Sequence, residues 1–221
     1  MPERWFAGRL AGMAQDLDAA YGLETPDDNL RLYRDWAETY DTSFARDMDY
    51  VLPLRVAELF RALGGTGPVL DMGAGTGLCG EALVALGLGP VEATDLSQEM
   101  LDVSARKGVY ARLFTGNLVE RLPVENGAYS GVTCSGTFTH GHVGPEALPE
   151  VLRVLAPGGL AVISVNAEHW HAKGYALAVD ALEVSEMGWR EVRIYGQDSQ
   201  GGHAGDMSRL LWLRKRGSQV A

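Results

Sequence analysis

A glycine-rich stretch that begins with an aspartate is the part of this sequence best suited to bind a ligand. Residues 71–77 read DMGAGTG and follow a short apolar run that predicts a buried strand. Glycines in such a turn adopt positive φ and let a ligand approach the backbone closely, because no Cβ intervenes. No Gly-Lys-Ser/Thr follows, so the stretch is not the phosphate-binding loop of a P-loop protein.

Two carboxylates restrict what this turn could hold. Asp95 ends the next predicted strand, where a carboxylate can accept hydrogen bonds from both hydroxyls of a ribose. Enzymes that use nicotinamide dinucleotides and enzymes that use S-adenosylmethionine share such an acid. Asp71 is poorly placed beside a pyrophosphate but well placed to attract the ammonium of a methionine moiety, directly or through water. The alternative is that Asp71 only caps amides of the turn.

The histidines are the candidate bases of the sequence. All five fall in segments predicted at the carboxyl edge of the sheet: His140, His142, His169, His171 and His203. A pKa of about 6.5 suits imidazole to accept a proton at neutral pH. We favour His140 as the acceptor-site base, with His171 behind it; the alternative is that the histidines are solvated or cap helix ends. The two His-x-His pairs could ligate one ion only in an extended segment, and no carboxylate cluster supports them, so we predict no metal site.

From residue 67 onward, short apolar runs alternate with amphipathic helices. This alternation predicts parallel βαβ units and a three-layer αβα, doubly wound sheet of seven strands, with Rossmann-like topology. The last two strands are joined by a loop alone, so they should pair as an antiparallel hairpin. The helix that precedes them is predicted to stop at Gly188. The seven predicted strands are 68–71, 91–95, 111–115, 131–134, 160–165, 191–195 and 208–213. Ligands of such sheets bind beyond the carboxyl ends of the strands.

Residues 1–66 are predicted as an N-terminal helical cap and residues 67–221 as the core, within one folding unit. Apolar side chains between residues 6 and 21 recur every three to four positions, which predicts a first helix. A second helix has Pro26 at its first position and carries Tyr33 and Tyr40. A third helix is predicted over 50–63. A homodimer through these N-terminal helices is one option for a protein partner.

Composition excludes several classes of partner. The 221 residues are 46% hydrophobic and 22% charged, and 19 basic against 29 acidic side chains give a formal net charge of −10. This charge repels polyanions, so we expect neither nucleic acid nor anionic membrane as a partner.

The two cysteines, Cys79 and Cys134, lie far apart in the sequence and are typical of a reducing compartment. No apolar run approaches the roughly 20 residues that span a bilayer, so we expect a cytoplasmic protein.

Three motifs in order resemble those of class I S-adenosylmethionine-dependent methyltransferases. They are VLDMGAGTGL at 69–78, ATDLSQEML at 93–101 and RVLAPGGLAVI at 153–163. The stretches YRDWAETYD at 33–41 and GTFTHGHV at 136–143 are also similar to a small subgroup, the Williams–Beuren-region type. The resemblance implies a seven-stranded sheet with an antiparallel last strand. It also implies transfer of a methyl group from S-adenosylmethionine to a small-molecule acceptor by in-line displacement, leaving S-adenosylhomocysteine.

The same resemblance implies a role for each matching residue. Three groups would surround the cofactor: those at its methionine end (Asp71, Gly73, Ala74, Gly75), those at its ribose and adenine (Asp95, Leu96, Met100, Asn117, Leu118) and the tyrosines that close over it (Tyr33, Tyr40). Ser135, after the fourth strand, would line the methyl-transfer site. Asn117 departs from the family, which often has an acid there; the amide keeps an acceptor oxygen but not the charge.

Two other functions compete with this interpretation. One is a protein that binds S-adenosylmethionine or S-adenosylhomocysteine without catalysis, because an open acceptor site cannot be seen in a sequence. The other is a nicotinamide-dependent oxidoreductase. A Tyr-x-x-x-Lys helix signature would favour the oxidoreductase, and the sequence contains none.

Overall fold

A computed structural model describes residues 37, 40–46, 48–197, 199 and 203–217. The first predicted helix, the start of the second and Tyr33 lie outside these residues, and with them the predicted dimer surface. The predicted third helix is present and begins at Leu52, with Pro53 in its first turn. A proline is tolerated there because its missing N–H would have no helical partner.

The described chain alternates strands and helices as the sequence predicts. The α-helices are α1 (Leu52–Ala62), α2 (Leu78–Ala85), α3 (Gln98–Arg106), α4 (Leu148–Val154), α5 (Ala167–Ala172) and α6 (Tyr175–Asp180). The strands are β1 (Val69–Met72), β2 (Val91–Asp95), β3 (Arg112–Thr115), β4 (Tyr129–Phe138), β5 (Leu155–Asn166), β6 (Val184–Arg193) and β7 (Met207–Lys215). A π-helix (Tyr40–Ala45) precedes α1, and a 3-10 turn (Pro145–Ala147) precedes α4.

The strands form one sheet in the order β3-β2-β1-β4-β5-β7-β6. Strands β1 to β5 are parallel, whereas β7 runs antiparallel to both β5 and β6. The seven-stranded, doubly wound sheet with a closing antiparallel hairpin is therefore confirmed. Strand order reverses at β1, between β2 and β4, so a ligand site is expected beyond the carboxyl end of β1.

Alternate residues of the central strand face the two helical layers. Leu70 and Met72 belong to the apolar cluster that contains Val151 of α4. Val69 belongs to the opposite cluster, with Phe60 of α1. This alternation follows from the two-residue period of a strand and gives the three-layer αβα arrangement. None of the described helices is long and apolar enough to cross a bilayer.

The prediction of a helix stop at Gly188 is wrong. Helix α6 ends at Asp180, and Gly188 lies inside β6, paired with Trp212 of β7. A Cβ on Gly188 would collide with the indole of Trp212, so this glycine makes room for a cross-strand aromatic ring. Helix α5, which carries His169 and His171, was not predicted; the Asn166 side chain caps it by accepting from the amides of Glu168 and His169.

Candidate active site

A cavity of about 190 Å³ opens at the carboxyl edge of the sheet. The segments that follow β1, β2 and β3 form its walls together with the end of β4. Its lining residues are Tyr40, Tyr50, Pro53, 73–76, Leu78, Cys79, 95–97, Met100, 116–119, 135–137, His142 and Val143. The site therefore lies where the topology of the sheet and the glycine-rich motif both predict a ligand.

Two glycines of the turn are fixed by different surroundings. Gly73 has φ +64°, its amide donates to the Thr94 carbonyl at 2.8 Å, and a Cβ there would collide with the Thr137 side chain. Gly75 has φ +54°, and a Cβ there would meet no atom of the described chain within 4 Å. The space over Gly75 belongs to the cavity, so a ligand can approach its backbone closely.

Asp95 joins the end of β2 to the glycine turn. Its Oδ2 accepts from the Gly75 amide at 2.8 Å, and its Oδ1 accepts from the Ser97 amide at 2.9 Å. Burial raises the pKa of Asp95 above its ordinary value, while these amide hydrogen bonds act in the opposite direction. Asp95 therefore lines the cavity and also connects the glycine turn to the residue that caps α3.

Asp71 lies beneath the turn and is completely buried. Its Oδ2 accepts from the Tyr110 hydroxyl at 2.7 Å, and its Oδ1 accepts from the Thr133 hydroxyl at 3.0 Å. Burial raises the pKa of Asp71 to about 6, against the lowering effect of these hydroxyl donors. The structure does not bring this side chain to the cavity wall, and its contact with a methionine ammonium remains a prediction.

Comparison with known proteins supports one family for this fold and site. The methyltransferase domain family matches residues 69–159, which include the glycine turn and the strands around the cavity. Methyltransferase-like protein 27 of Homo sapiens is 33% identical over 163 residues, which are 72% of this chain and 66% of that protein. These matches show that the chain contains a class I S-adenosylmethionine-dependent methyltransferase domain.

Other relatives of this methyltransferase cover it less completely. A demethylmenaquinone methyltransferase of Renibacterium salmoninarum is 32% identical over 142 residues, which are 63% of this chain and 59% of that protein. The chain thus spans 66% and 59% of the lengths of these two relatives.

Two solved structures share the fold. A putative S-adenosyl-L-methionine-dependent methyltransferase of Methanococcus maripaludis aligns with TM-score 0.61 at 17% identity, over 86% of this chain and 95% of that one. The 1,6-didemethyltoxoflavin-N1-methyltransferase of Burkholderia thailandensis, with bound 1,6-didemethyltoxoflavin and S-adenosylhomocysteine, aligns with TM-score 0.62 at 21% identity, over 88% and 92%.

The residues around the cavity of the methyltransferase fit S-adenosylmethionine. The space over Gly75 would suit the methionine portion, and Asp95 would offer a carboxylate to the ribose hydroxyls. Leu96, Met100 and Leu118, which also line the cavity, would give an apolar surface to the adenine. Ser135 lines the cavity, and its Oγ is buried and has no hydrogen-bond partner among the described residues.

At the adenine end, Asn117 is tied into its own turn. Its Oδ1 accepts from the Val119 amide at 3.2 Å, and its Nδ2 donates to Glu120 Oε1 at 3.1 Å. Asn117 lines the cavity, but its side chain already has partners for both its oxygen and its nitrogen. An adenine would therefore meet the backbone of this turn and Leu118 at least as readily as the amide oxygen that the sequence favours.

The end of β4 and the chain around the start of α1 also line the cavity. Gly136 has φ +82°, and the Tyr50 hydroxyl lies where its side chain would be, 2.7 Å from an added Cβ. The Gly136 amide donates to Ser164 Oγ at 2.8 Å, which fixes the end of β4 against β5. Tyr50, Pro53 and Thr137 were not singled out from the sequence, because the first two precede the family motifs.

The structure places the two predicted bases outside the cavity lining. His140 Nε2 lies 3.8 Å from Glu168 Oε2, and its ring packs edge-on against His169 with centroids 5.3 Å apart. His171 Nε2 accepts from Arg209 Nη2 at 3.2 Å. The histidine that lines the cavity is His142. In the described part of the chain, no three His, Cys, Asp or Glu side chains are grouped as metal ligands.

Tyr40 lines the cavity from the π-helix before α1. The neighbouring Asp41 accepts from the Thr76 hydroxyl and pairs with the Lys107 ammonium at 2.6 Å. The family resemblance implies that Tyr40 closes over the cofactor, whereas it assigns no role to Asp41. Asp41 lies in the YRDWAETYD stretch, but its contacts with Thr76 and Lys107 could not be predicted from that stretch, because both residues are distant in the sequence.

Proposed function

We propose that this chain transfers a methyl group from S-adenosylmethionine to a small, uncharged acceptor molecule. The observation that carries the proposal is the continuity of the cavity. The glycine turn and Asp95 line the same cavity as Ser135, Thr137 and His142. A cofactor held at the glycine turn and Asp95 would present its methyl group toward the rest of this cavity, where an acceptor has room to bind.

The side chains would act mainly by alignment and exclusion of water. When bound, S-adenosylmethionine supplies the methyl group and a sulfonium leaving group whose positive charge disperses in the transition state. The turn at Gly75 and the carboxylate of Asp95 would fix the cofactor end. Tyr40 would cover it from the π-helix. The acceptor atom must then approach to about 3 Å in line with the breaking bond, which is a demand on positioning.

The lining of the acceptor end favours an uncharged molecule. Tyr50, Pro53 and Val143 are apolar or aromatic, and Thr137 and His142 offer neutral polar groups. Among the described residues of this end, none carries a formal charge at neutral pH. A charged acceptor would lose its hydration shell here without gaining an ionic partner.

The stretches YRDWAETYD and GTFTHGHV also support membership of the Williams–Beuren-region-type subgroup. Both stretches contribute to the cavity, through Tyr40 from the first and through Gly136, Thr137, His142 and Val143 from the second. The subgroup assignment therefore rests on residues of the site itself.

Calorimetry with S-adenosylmethionine, S-adenosylhomocysteine and NADH tests the cofactor. We expect the first two to bind and NADH to give no signal; binding of NADH alone would overturn the proposal. Trideuteromethyl-labelled cofactor, incubated with neutral, anionic and cationic fractions of a small-molecule extract, then tests the transfer. We expect a labelled product from the neutral fraction. Tight binding of S-adenosylhomocysteine with no product from any fraction would favour a binding protein without catalysis.

A further inference from the structure

The two edge strands of the sheet differ in length. Strand β3 forms one edge and has four residues, whereas β6 forms the other edge and has ten. A short edge strand offers few backbone groups to another chain, but a long one is a template for further pairing. Within the described part of the chain, β6 pairs with β7 alone. The outer side of β6 is therefore open to another strand.

The ladder between β6 and β7 indicates which backbone groups face this open side. The ladder is regular over 186–193, beyond one register shift at the start of β6. The Ile194 amide donates to the Asp206 carbonyl at 3.1 Å, and this pair continues the same register. Alternate residues of an antiparallel strand bond to its partner, so the even-numbered residues of β6 face β7. The N–H and C=O groups of Met187 and Trp189 therefore face outward.

Two large apolar side chains of β6 are exposed on one face of the sheet. Met187 is 44% exposed and Trp189 is 47% exposed. Trp189 is nonetheless held in place, because its ring packs against Trp170 with centroids 6.0 Å apart and the Arg209 guanidinium lies 4.1 Å from its centroid. A side chain that is already held loses little entropy when a partner covers it.

The other face of β6 carries opposite charges on either side of a glycine. Glu186 pairs with Arg214 at 3.1 Å, but its side chain is still 51% exposed. Arg190 is exposed, and its side chain makes no hydrogen bond or ion pair within the described chain. Gly188 lies midway between them. The two charges are thus equally spaced about Gly188.

We propose that the open edge of β6 pairs with β6 of a second copy of this chain, antiparallel about a two-fold axis at Gly188. In this register, Glu186 of each copy lies opposite Arg190 of the other, in pairs without backbone bonds whose Cα atoms are about 4.5 Å apart. Met187 of each copy lies opposite Trp189 of the other, and these two residues exchange backbone hydrogen bonds. At the axis, the two Gly188 residues bring no side chains into contact.

Charge complementarity distinguishes this register from its neighbours. An axis at Trp189 places Glu186 opposite the apolar Val192. An axis at Arg190 places the two guanidiniums opposite each other, and like charges in that position are destabilising. The axis at Gly188 instead forms two Glu–Arg pairs, which a second copy of the same strand supplies. No residue of β6 lines the cavity, so this interface does not depend on the proposed function.

Sedimentation velocity over a range of concentrations tests the association. We expect a reversible dimer with a Kd of about 1–100 µM, because one pair of strands buries less surface than a standard interface. Arg190→Glu and Glu186→Arg should each raise this Kd at least about tenfold, since both cross-strand pairs become repulsive. Glu186→Arg also removes the pair with Arg214, but an exposed pair contributes little to stability. Heat unfolding checks that each variant is folded.

A mixture of the two variants tests the register itself. In a dimer of one Arg190→Glu copy and one Glu186→Arg copy, both cross-strand pairs again join opposite charges. An equimolar mixture, with one variant fluorescently labelled, should therefore form mixed dimers, although neither variant associates alone. The matched control is Arg61→Glu, which reverses an exposed charge on α1 and should dimerise as the wild type does.

Hydrogen exchange of the wild-type protein gives a readout that needs no variant. The outward amides of Met187 and Trp189 should exchange more slowly at concentrations above the Kd than below it. A protein that stays monomeric, or exchange at these amides that is independent of concentration, would overturn the proposal. A dimer that Arg190→Glu leaves intact would place the interface elsewhere, and failure of the two variants to associate with each other would contradict the register.

Discussion

The carboxylate of Asp41 accepts a 2.5 Å hydrogen bond from the hydroxyl of Thr76. Asp41 belongs to the π-helix before the core, and Thr76 belongs to the glycine turn, so this contact joins two segments that are 35 residues apart. The Lys107 ammonium, 2.6 Å from the other Asp41 oxygen, reinforces it. The contact holds the neighbouring Tyr40 against the cavity.

We predict that Asp41→Asn weakens the binding of S-adenosylhomocysteine about tenfold. The substitution replaces a charged acceptor by a neutral one, and hydrogen bonds to charged groups contribute about 1.5–3 kcal/mol. Without this contact, the segment that carries Tyr40 would be less ordered in the free protein. Part of the binding free energy of the cofactor would then be used to order this segment, which weakens the affinity. Isothermal titration calorimetry measures the change.

Glu81→Gln is the matched control for Asp41→Asn. Glu81, in α2, is the second carboxylate on Lys107, at 2.6 Å, whereas Thr76 bonds to Asp41. We expect its affinity to match that of the wild type. A double-mutant cycle of Asp41→Asn with Thr76→Val adds a second check, because the first substitution weakens the acceptor of this hydrogen bond and the second removes its donor. Strictly additive losses in the cycle would contradict a direct coupling.

Alanine substitutions at two glycines with a left-handed backbone distinguish an effect on stability from an effect on binding. Gly75 has φ +54° and Gly87 has φ +75°, and an added Cβ would meet nothing within 4 Å at either position. Alanine should lower the stability by about 1 kcal/mol in both variants, because a left-handed backbone is unfavourable for a residue with a Cβ. Gly75→Ala should also weaken S-adenosylhomocysteine binding at least tenfold, since its methyl group enters the cavity, whereas Gly87→Ala should not. Thermal unfolding and calorimetry give the two readouts. Equal affinities in the two variants would mean that the ligand does not approach Gly75.

Local patterns predicted the parts of the fold and site that local physics decides. The positive φ values at Gly73 and Gly75, the strand end at Asp95 and the Ser97 cap of α3 each depend on residues close in sequence. The seven strands could be counted for the same reason, since each is a short apolar run between turn residues.

The rest depends on contacts between distant residues. The burial of Asp71 requires the Tyr110 hydroxyl, 39 residues away. His140 and His142 lie two residues apart in an irregular loop, where no periodicity indicates which ring faces the cavity. Glycine commonly follows the end of a helix, so its residue type alone suggests a helix stop at Gly188. Its pairing with Trp212 shows that Gly188 lies in a strand. Sequence patterns do not contain these pairings.

Gly188→Ala tests the correction of that strand. The added methyl would collide with the Trp212 indole, so the variant should lose about 1–3 kcal/mol of stability through overpacking. Gly205→Ala is the control: its Cβ would meet no atom within 4 Å. We expect it to change the stability by less than about 0.5 kcal/mol. Urea unfolding distinguishes the two, and equal midpoints would contradict the close approach of Gly188 to Trp212.

The buried carboxyl of Asp71 should make stability fall as the pH rises. Its pKa is raised from 3.8 to about 6 in the folded protein, so the folded state holds this proton more tightly than the unfolded state. The stabilisation is complete below about pH 4 and is lost as the pH rises to about 6, a change of about 3 kcal/mol. Asp71→Asn has no such proton, so the free energy of unfolding of the wild type should decrease relative to the variant across this window.

Urea unfolding of both proteins at several pH values between 4 and 7 measures this difference. The pKa of Asp95 is also raised, and the charge of Asp95 contributes to the raised pKa of Asp71, so the comparison measures the Asp71 proton together with its interaction with Asp95. Tyr110→Phe provides a second variant, because it removes one of the hydroxyls that stabilise the ionised Asp71. The pKa of Asp71 should then rise further, and the loss of stability should extend to higher pH. Parallel pH curves for the wild type and Asp71→Asn would show that Asp71 titrates as an ordinary exposed carboxyl.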